Sequence, residues 1–199
     1  TTDNEAYAFL RWEGFESERV LDANWIGVTS SDWADASNWA ENTVPVADND
    51  ISIPASVPNY PLLDADRSIK NLFIEDGATL SIGENNTLTL RGNIVGQGTI
   101  VGSMDSSILI IGNGELTLRM NQGIQEDTNM LSNLTIQDGS TNERALILEN
   151  PVFLNNVLSL ESATTSLRSD LNLTLYCDFN SSNFKVAHVD WQLGDGSAG

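Results

Sequence analysis

The chain has 199 residues and sets 28 Asp and Glu against 9 Lys and Arg, a formal net charge of −19 at neutral pH. That acid excess excludes a general nucleic-acid binder and disfavours anionic membrane surfaces, because every phosphate contact would start from repulsion. A hydrophobic share of 40% with 19% charged residues suits a packed core rather than a disordered acidic chain, and one Cys excludes a disulfide-stapled miniprotein.

Residues 1–24 read as an N-terminal extension or the end of a preceding domain. They carry the aromatic residues Tyr7, Phe9, Trp12 and Phe15, whose spacing suits either a short helix or a strand. The basic and apolar regions of a secretory leader are not visible there. No apolar run in the chain approaches the roughly 20 residues that cross a bilayer, so membrane insertion is not expected. Residues 25–62 form a Trp/Asn/Pro-rich segment holding Pro45, Pro54, Pro58 and Pro61, four of the five prolines. Prolines at that density forbid a helix and break up central strands. The expected strand is Asp50-Ile51-Ser52-Ile53, alternating and stopped by Pro54.

From residue 63 to 199 the pattern is a repeat. Short alternating segments recur, among them Asn71–Ile74, Thr79–Ile82, Thr87–Leu90, Gly98–Val101, Ile108–Ile111 and Glu115–Leu118. Further members are Asn133–Ile136, Ala145–Leu148, Val157–Leu160 and Asn172–Leu175. Leu or Ile alternates with Thr or Ser, the period of two that marks a strand buried on one side. Two all-β architectures compete. Glu75-Asp76-Gly77 between two strands is a hairpin signal and favours an antiparallel β-sandwich. Against it, residues 69–79 (IKNLFIEDGAT) resemble 131–141 (LSNLTIQDGST) at an offset of 62, and Leu72, Ile94 and Leu116 step by 22. An offset of 62 is three turns of about 21 residues, the period of a solenoid. A parallel β-helix with an irregular Trp/Pro-rich N-terminal cap is therefore favoured, with Asn and Thr ladders at equivalent turns.

The Trp residues admit two uses. Trp25, Trp33 and Trp39 can cover the apolar column that the first turn exposes, with Asp32 and Asn38 bonding nearby turn backbone. Alternatively, exposed indoles stack on pyranose rings beside the Asp32 and Asn38 acceptors. The cap is the favoured reading. Close acid pairs, Asp48 with Asp50 and Asp64 with Asp66, and also Asp32 with Asp35, offer oxygen ligands for Ca²⁺, although none matches an EF-hand or Gly-rich nonapeptide. A solvated acidic surface is the simpler reading.

Catalysis finds little support. The metalloprotease, nucleophile-elbow and phosphate-loop motifs do not occur. His188 reads as a surface strand residue and Cys177 as a buried apolar one. A β-helix polysaccharide lyase needs a base and cations facing a uronate, and Arg91, Arg119 and Arg144 are its scattered candidates. The four Asn-x-Ser/Thr sites read as turn Asn beside strand Thr.

Trp25-Ile26-Gly27, Asp32-Trp33, Asn38-Trp39, Val44-Pro45 and Asp50–Pro54 stand in a fixed order. The series resembles a segment of secreted and cell-surface Bacteroidetes proteins that leads into Asn-Leu-x-Ile/Val repeats similar to a β-helix. Asn71–Ile74 and Asn59-Tyr60-Pro61 fit the same pattern. The resemblance covers about residues 25–90. It implies export by the type IX secretion machinery, an extracellular or cell-surface location, and membership of adhesins or gliding-motility proteins. The expected function is a non-enzymatic, cofactor-free spacer or presentation module of a larger surface protein. Its partners would be the secretion machinery, other surface proteins or polysaccharide. The competing functions are a carbohydrate-binding module built on the Trp residues and, behind it, the lyase.

Overall fold

Strands of four residues with Leu or Ile at alternate positions hide one side only, and each is too short to be stable in an isolated pair. Stacking them in parallel gives every apolar side chain a neighbour above and below. A computed structural model of the chain shows that arrangement. It describes residues 22–111, 115–122, 128–137, 144–160, 165–169, 174–175, 178–181 and 188–189.

Strand β1 (Ala23–Asn24) precedes an irregular stretch whose regular element is one 3₁₀ turn, Ala36–Asn38. The first full turn runs through β2 (Ile51–Ile53), β3 (Leu62–Leu63) and β4 (Arg67–Ile69). The second repeats the path as β5 (Leu72–Ile74), β6 (Thr79–Ile82) and β7 (Thr87–Leu90). The third follows as β8 (Ile94–Val95), β9 (Thr99–Val101) and β10 (Ser107–Ile111). The fourth comprises β11 (Glu115–Leu118), a bridge from Met120 to Ile100, and β12 (Met130–Gln137). Two of the faces continue through β13 (Arg144–Leu148), β14 (Phe153–Leu160), β15 (Thr165–Ser169), β16 (Thr174–Leu175), β17 (Asp178–Ser181) and β18 (His188–Val189).

The first face carries the order β1-β2-β5-β8, and β11-β13-β15-β18 form a sheet whose β11 lies against β8. The second face is β3-β6-β9, and the third runs β4-β7-β10-β12-β14, with β16 and β17 both on β14. Pairing is parallel throughout these sheets. The chain is an all-β parallel solenoid, and the antiparallel sandwich does not form. The turn at Asp76-Gly77 links β5 to β6, which lie on different faces, so it makes a corner rather than a hairpin.

Register stacks the core in columns. Ile51 pairs with Leu72 and Leu72 with Ile94 on the first face. Leu80 pairs with Ile100 on the second, and Leu88, Ile108, Leu134 and Leu158 run in series on the third. Except for half-buried Ile94, these side chains are buried, each stabilising the stack by about 1.5–3 kcal/mol.

The step of 22 from Leu72 to Ile94 is thus one turn, but the 62-residue repeat corresponds to no single column. Leu72 belongs to the first face, whereas Leu134 stacks between Ile108 and Leu158 on the third. The shared Asn-Leu-x-Ile pattern encodes an alternating strand segment only: Asn71 precedes β5, whereas Asn133 lies within β12 beside a register irregularity. The repeat also begins earlier than residue 63, since β2 at Ile51–Ile53 already belongs to the first complete turn.

Polar ladders tie the corners. Where the third face passes into the first, Asp22 Oδ2 accepts the Asp50 amide at 3.1 Å, and Asp50 Oδ1 accepts Asn71 Nδ2 at 2.6 Å. Asn71 Oδ1 in turn accepts the Asn93 amide at 2.9 Å. On the third face Asn133 Nδ2 donates to Ser107 Oγ and Asn156 Nδ2 to Asn133 Oδ1, both at 3.0 Å.

Candidate functional site

The irregular segment 25–49 is held by the side chains of Asn38, Asp32 and Asp35, which satisfy turn backbone amides. Asn38 is fully buried. Its Oδ1 accepts the amides of Thr29 and Ser30 at 2.9 and 3.0 Å. Its Nδ2 donates to Ser30 Oγ at 3.1 Å and to the Asp32 carbonyl at 3.0 Å. All four hydrogen-bonding positions of the amide are used. Asp32 Oδ1 accepts the Ala34 amide at 2.8 Å, and Asp35 caps the 3₁₀ turn. The Ser37 hydroxyl and then the Ser37 amide, at 2.7 and 2.9 Å, hold the Asp35 carboxyl below the ordinary carboxylate range.

Around these clamps the three indoles pack on one another. Trp33 and Trp39 meet edge to face with ring centroids 4.6 Å apart, as do Trp25 and Trp39 at 5.0 Å. Trp25 and Trp33 stack at 6.3 Å. Their exposures are 0% for Trp25, 0% for Trp33 and 1% for Trp39. All three join the core that continues through Ile51, Leu63 and Leu72. The ring faces a pyranose would need are covered by protein, so the stacking platform considered from the sequence is not present in this arrangement. Burial of three indoles follows from their position at the end of a stack whose apolar column must be closed.

Residues outside the Trp motif complete this end. Trp25 Nε1 donates to the Asn59 carbonyl at 2.7 Å, and Asn59 Nδ2 donates to the Gly27 carbonyl at 2.8 Å. Gly27 has φ 55°, and a Cβ there would fall 2.1 Å from the Asn59 oxygen. Glu41 accepts the backbone and side-chain amides of Asn24 at 3.0 and 2.9 Å. Gly27 and Asn59 stand in the series read from the sequence, but their contact is not legible there, and Glu41 escapes it altogether, because the partners lie between 17 and 34 residues away. The Asx residues preceding Ile51, Leu72 and Ile94 were accessible, since they recur at the same step as the core.

The acids of each pair have different surroundings. Asp50 is buried in its ladder, Asp66 Oδ1 accepts the Thr87 amide at 2.7 Å, and Asp64 pairs with Arg67 at 3.2 Å. Asp48 is exposed. Among the described residues no three His, Cys, Asp or Glu side chains gather where they could hold a metal ion. Arg91 Nε donates to Ser68 Oγ at 3.0 Å, and Arg119 pairs with Glu149 while Nη1 donates to the Gly96 carbonyl at 3.3 Å. Arg144 lies on β13 and His188 on β18, opposite Arg168, while Cys177 falls outside the described residues. No helix among the described residues is long and apolar enough to cross a membrane.

A family described as a domain of unknown function, DUF8693, matches residues 24–140, more than half of the chain. The chain belongs to this family. The DUF8693 match begins at β1 and spans the Trp segment and all four three-sided turns. The match thus takes in the Trp segment and the stack through β12, while β13 to β18 lie beyond it. No curated protein and no solved structure matches the chain.

Proposed function

We propose that this DUF8693 chain is a non-enzymatic structural module, a stiff spacer or presentation domain of an exported bacterial surface protein. The observation that carries this reading is the commitment of its polar side chains. Asn38, Asp50, Asn71 and Asn133, the groups best suited to a site, bond to corners and neighbouring turns. Arg91 and Arg119, two of the three cations a lyase would use, are bonded to Ser68, Glu149 and Gly96. A stack whose turns are cross-tied by side chains resists bending and keeps its two ends a fixed distance apart. The acid excess serves solubility on a molecule built from strands that would otherwise associate. Export through the type IX machinery and a surface location are the parts of the proposal that rest on the Trp-Gly to Ile-Pro series.

Two measurements test it. Incubation with neutral and acidic polysaccharides is expected to give neither unsaturated products nor new reducing ends, and a clear product would overturn the non-enzymatic reading. Protease treatment of intact source cells is expected to degrade the chain, and full protection would refute the surface location.

A further inference from the structure

The end sealed by the indoles is also closed along its strand edge. Trp25 N donates to the Ser52 carbonyl at 2.8 Å, so β1 turns one edge to β2 and leaves the backbone groups of Asn24 facing out of the stack. Residues 38–40 run back along that outer edge. The Ile26 amide donates to the Asn38 carbonyl at 2.8 Å, the Ala40 amide donates to the Asn24 carbonyl at 2.9 Å, and Trp25 and Trp39 form an antiparallel bridge. The strand pairs of this face are parallel, so an antiparallel neighbour ends the pattern. An antiparallel ladder would give the Asn24 N–H the Ala40 carbonyl. The chain turns at Trp39–Asn42 instead, and Glu41 Oε2 accepts that N–H at 3.0 Å while Oε1 accepts Asn24 Nδ2 at 2.9 Å. The covering segment spends its own outer edge in local turns: Trp39 N donates to the Ala36 carbonyl at 3.1 Å, and the Trp39 carbonyl accepts the Asn42 amide at 2.9 Å. Among the described residues, a strand arriving at this edge meets no free backbone group on Asn24 or Trp39.

We infer that residues 38–41 are a strap that stops strand addition at this end, with Glu41 as its latch, and that the strand it keeps out is β1 of a second copy. An open β-edge is a template for another chain. Asn24 selects the occupant, because it presents a donor and an acceptor on the same side. Two copies related by a two-fold axis would exchange both bonds between their Asn24 residues, as a hydrogen-bonded antiparallel pair does. The strap holds both groups, the C=O through the Ala40 amide and the N–H through the Glu41 carboxylate. The stack is thereby kept from pairing head to head, whether or not the chain serves as a spacer.

The test compares molecular mass by light scattering across a dilution series, with thermal melting measured alongside. Ala40→Pro/Glu41→Ala removes both bonds to the Asn24 backbone. Ala40 is the second residue of the Trp39–Asn42 turn, where Pro is favoured, and extended Trp39 (φ −111°, ψ 137°) suits the position before a Pro, so the turn and the indoles stay in place. The double variant is expected to melt cooperatively and to reach about twofold the wild-type mass at high concentration. Adding Asn24→Pro withdraws the outward N–H, leaves the bonds to β2, and is expected to restore the wild-type mass. Glu41→Gln keeps an acceptor and is expected to match wild type. Wild-type mass in a cooperatively melting double variant overturns the inference, as does excess mass that survives Asn24→Pro, which marks aggregation of unfolded chains. A wild-type mass lowered by Asn24→Pro alone also overturns it, because the edge would then already be open. Should the double variant not fold, Glu41→Ala, with and without Asn24→Pro, is judged by the same criteria.

Discussion

The backbone carbonyl of Asn59 accepts the indole N–H of Trp25 at 2.7 Å, across 34 residues of sequence. This bond fastens the irregular N-terminal segment to the loop that leads into β3, and the buried ring seals the column above it. Trp25→Ala is expected to cost about 3–5 kcal/mol through the cavity it leaves. Trp25→Phe keeps most of the ring but strands the carbonyl, and should cost about 1–3 kcal/mol. Urea unfolding checks both, and equal stability of Trp25→Ala and wild type would refute the sealing role.

Gly27 and Gly77 both have positive φ, 55° and 83°, but only Gly27 is crowded. A Cβ on Gly77 meets nothing within 4 Å, so Gly77→Ala should cost only the about 1–2 kcal/mol of left-handed backbone. Gly27→Ala adds a clash with the Asn59 carbonyl and the Trp25 indole, and is expected to be clearly the worse of the two in thermal melts.

Asn38 distinguishes shape from hydrogen bonding. Asn38→Ala leaves the Thr29 and Ser30 amides without their acceptor and should cost at least about 2 kcal/mol. Asn38→Asp preserves that acceptor, but loses both Nδ2 bonds and places a charge facing the Asp32 carbonyl in a fully buried site. It should be no better tolerated than Ala at neutral pH, as read by chemical denaturation.

The corner ladder predicts a pH-dependent variant. Asn71→Asp replaces the donor to Asp50 by a second carboxylate, so at neutral pH it should destabilise more than Asn71→Ala. Acid protonates one of the pair and restores a shared proton, so the gap between the two variants should close as pH falls. A gap that stays constant with pH would refute direct contact between positions 50 and 71.

Asp35 gives the opposite test of sign. Its carboxyl is held below the ordinary range by the Ser37 hydroxyl and amide, so its folded-state affinity for protons is lower than in the unfolded chain. The stabilisation is present above the unfolded value near ~3.9 and is lost as pH falls through the lower folded value. The stability difference between wild type and Asp35→Ala should therefore be flat at neutral pH and shrink in acid.

Much of the fold is legible in the sequence. Thr79–Ile82, Thr87–Leu90 and Glu115–Leu118 are strands with the expected bounds, and in the first two strict alternation buries Leu80, Ile82, Leu88 and Leu90 while Thr and Ser stay on the open side. Strands β3 at Leu62–Leu63 and β4 at Arg67–Ile69 were not legible. Two residues after Pro61, or three that begin with Arg, carry no period of their own, and they are strands only because β6 and β7 lie beside them. The Trp motif was visible but ambiguous, since an indole has the same composition whether it seals a core or faces a sugar.

Composition and periodicity alone determined that this chain hides one side of many short strands. They also determined the turn length, because Leu72 and Ile94 recur at the step that register later requires. Tertiary structure decided which face each strand joins. Asn71-Leu72 and Asn133-Leu134 look alike in sequence yet lie on the first and third faces. The residues between strands set the corner at which the chain arrives, and a local motif carries no record of that count. Tertiary structure also decided the fate of the three indoles, because only the assembled stack has an open apolar end for them to close.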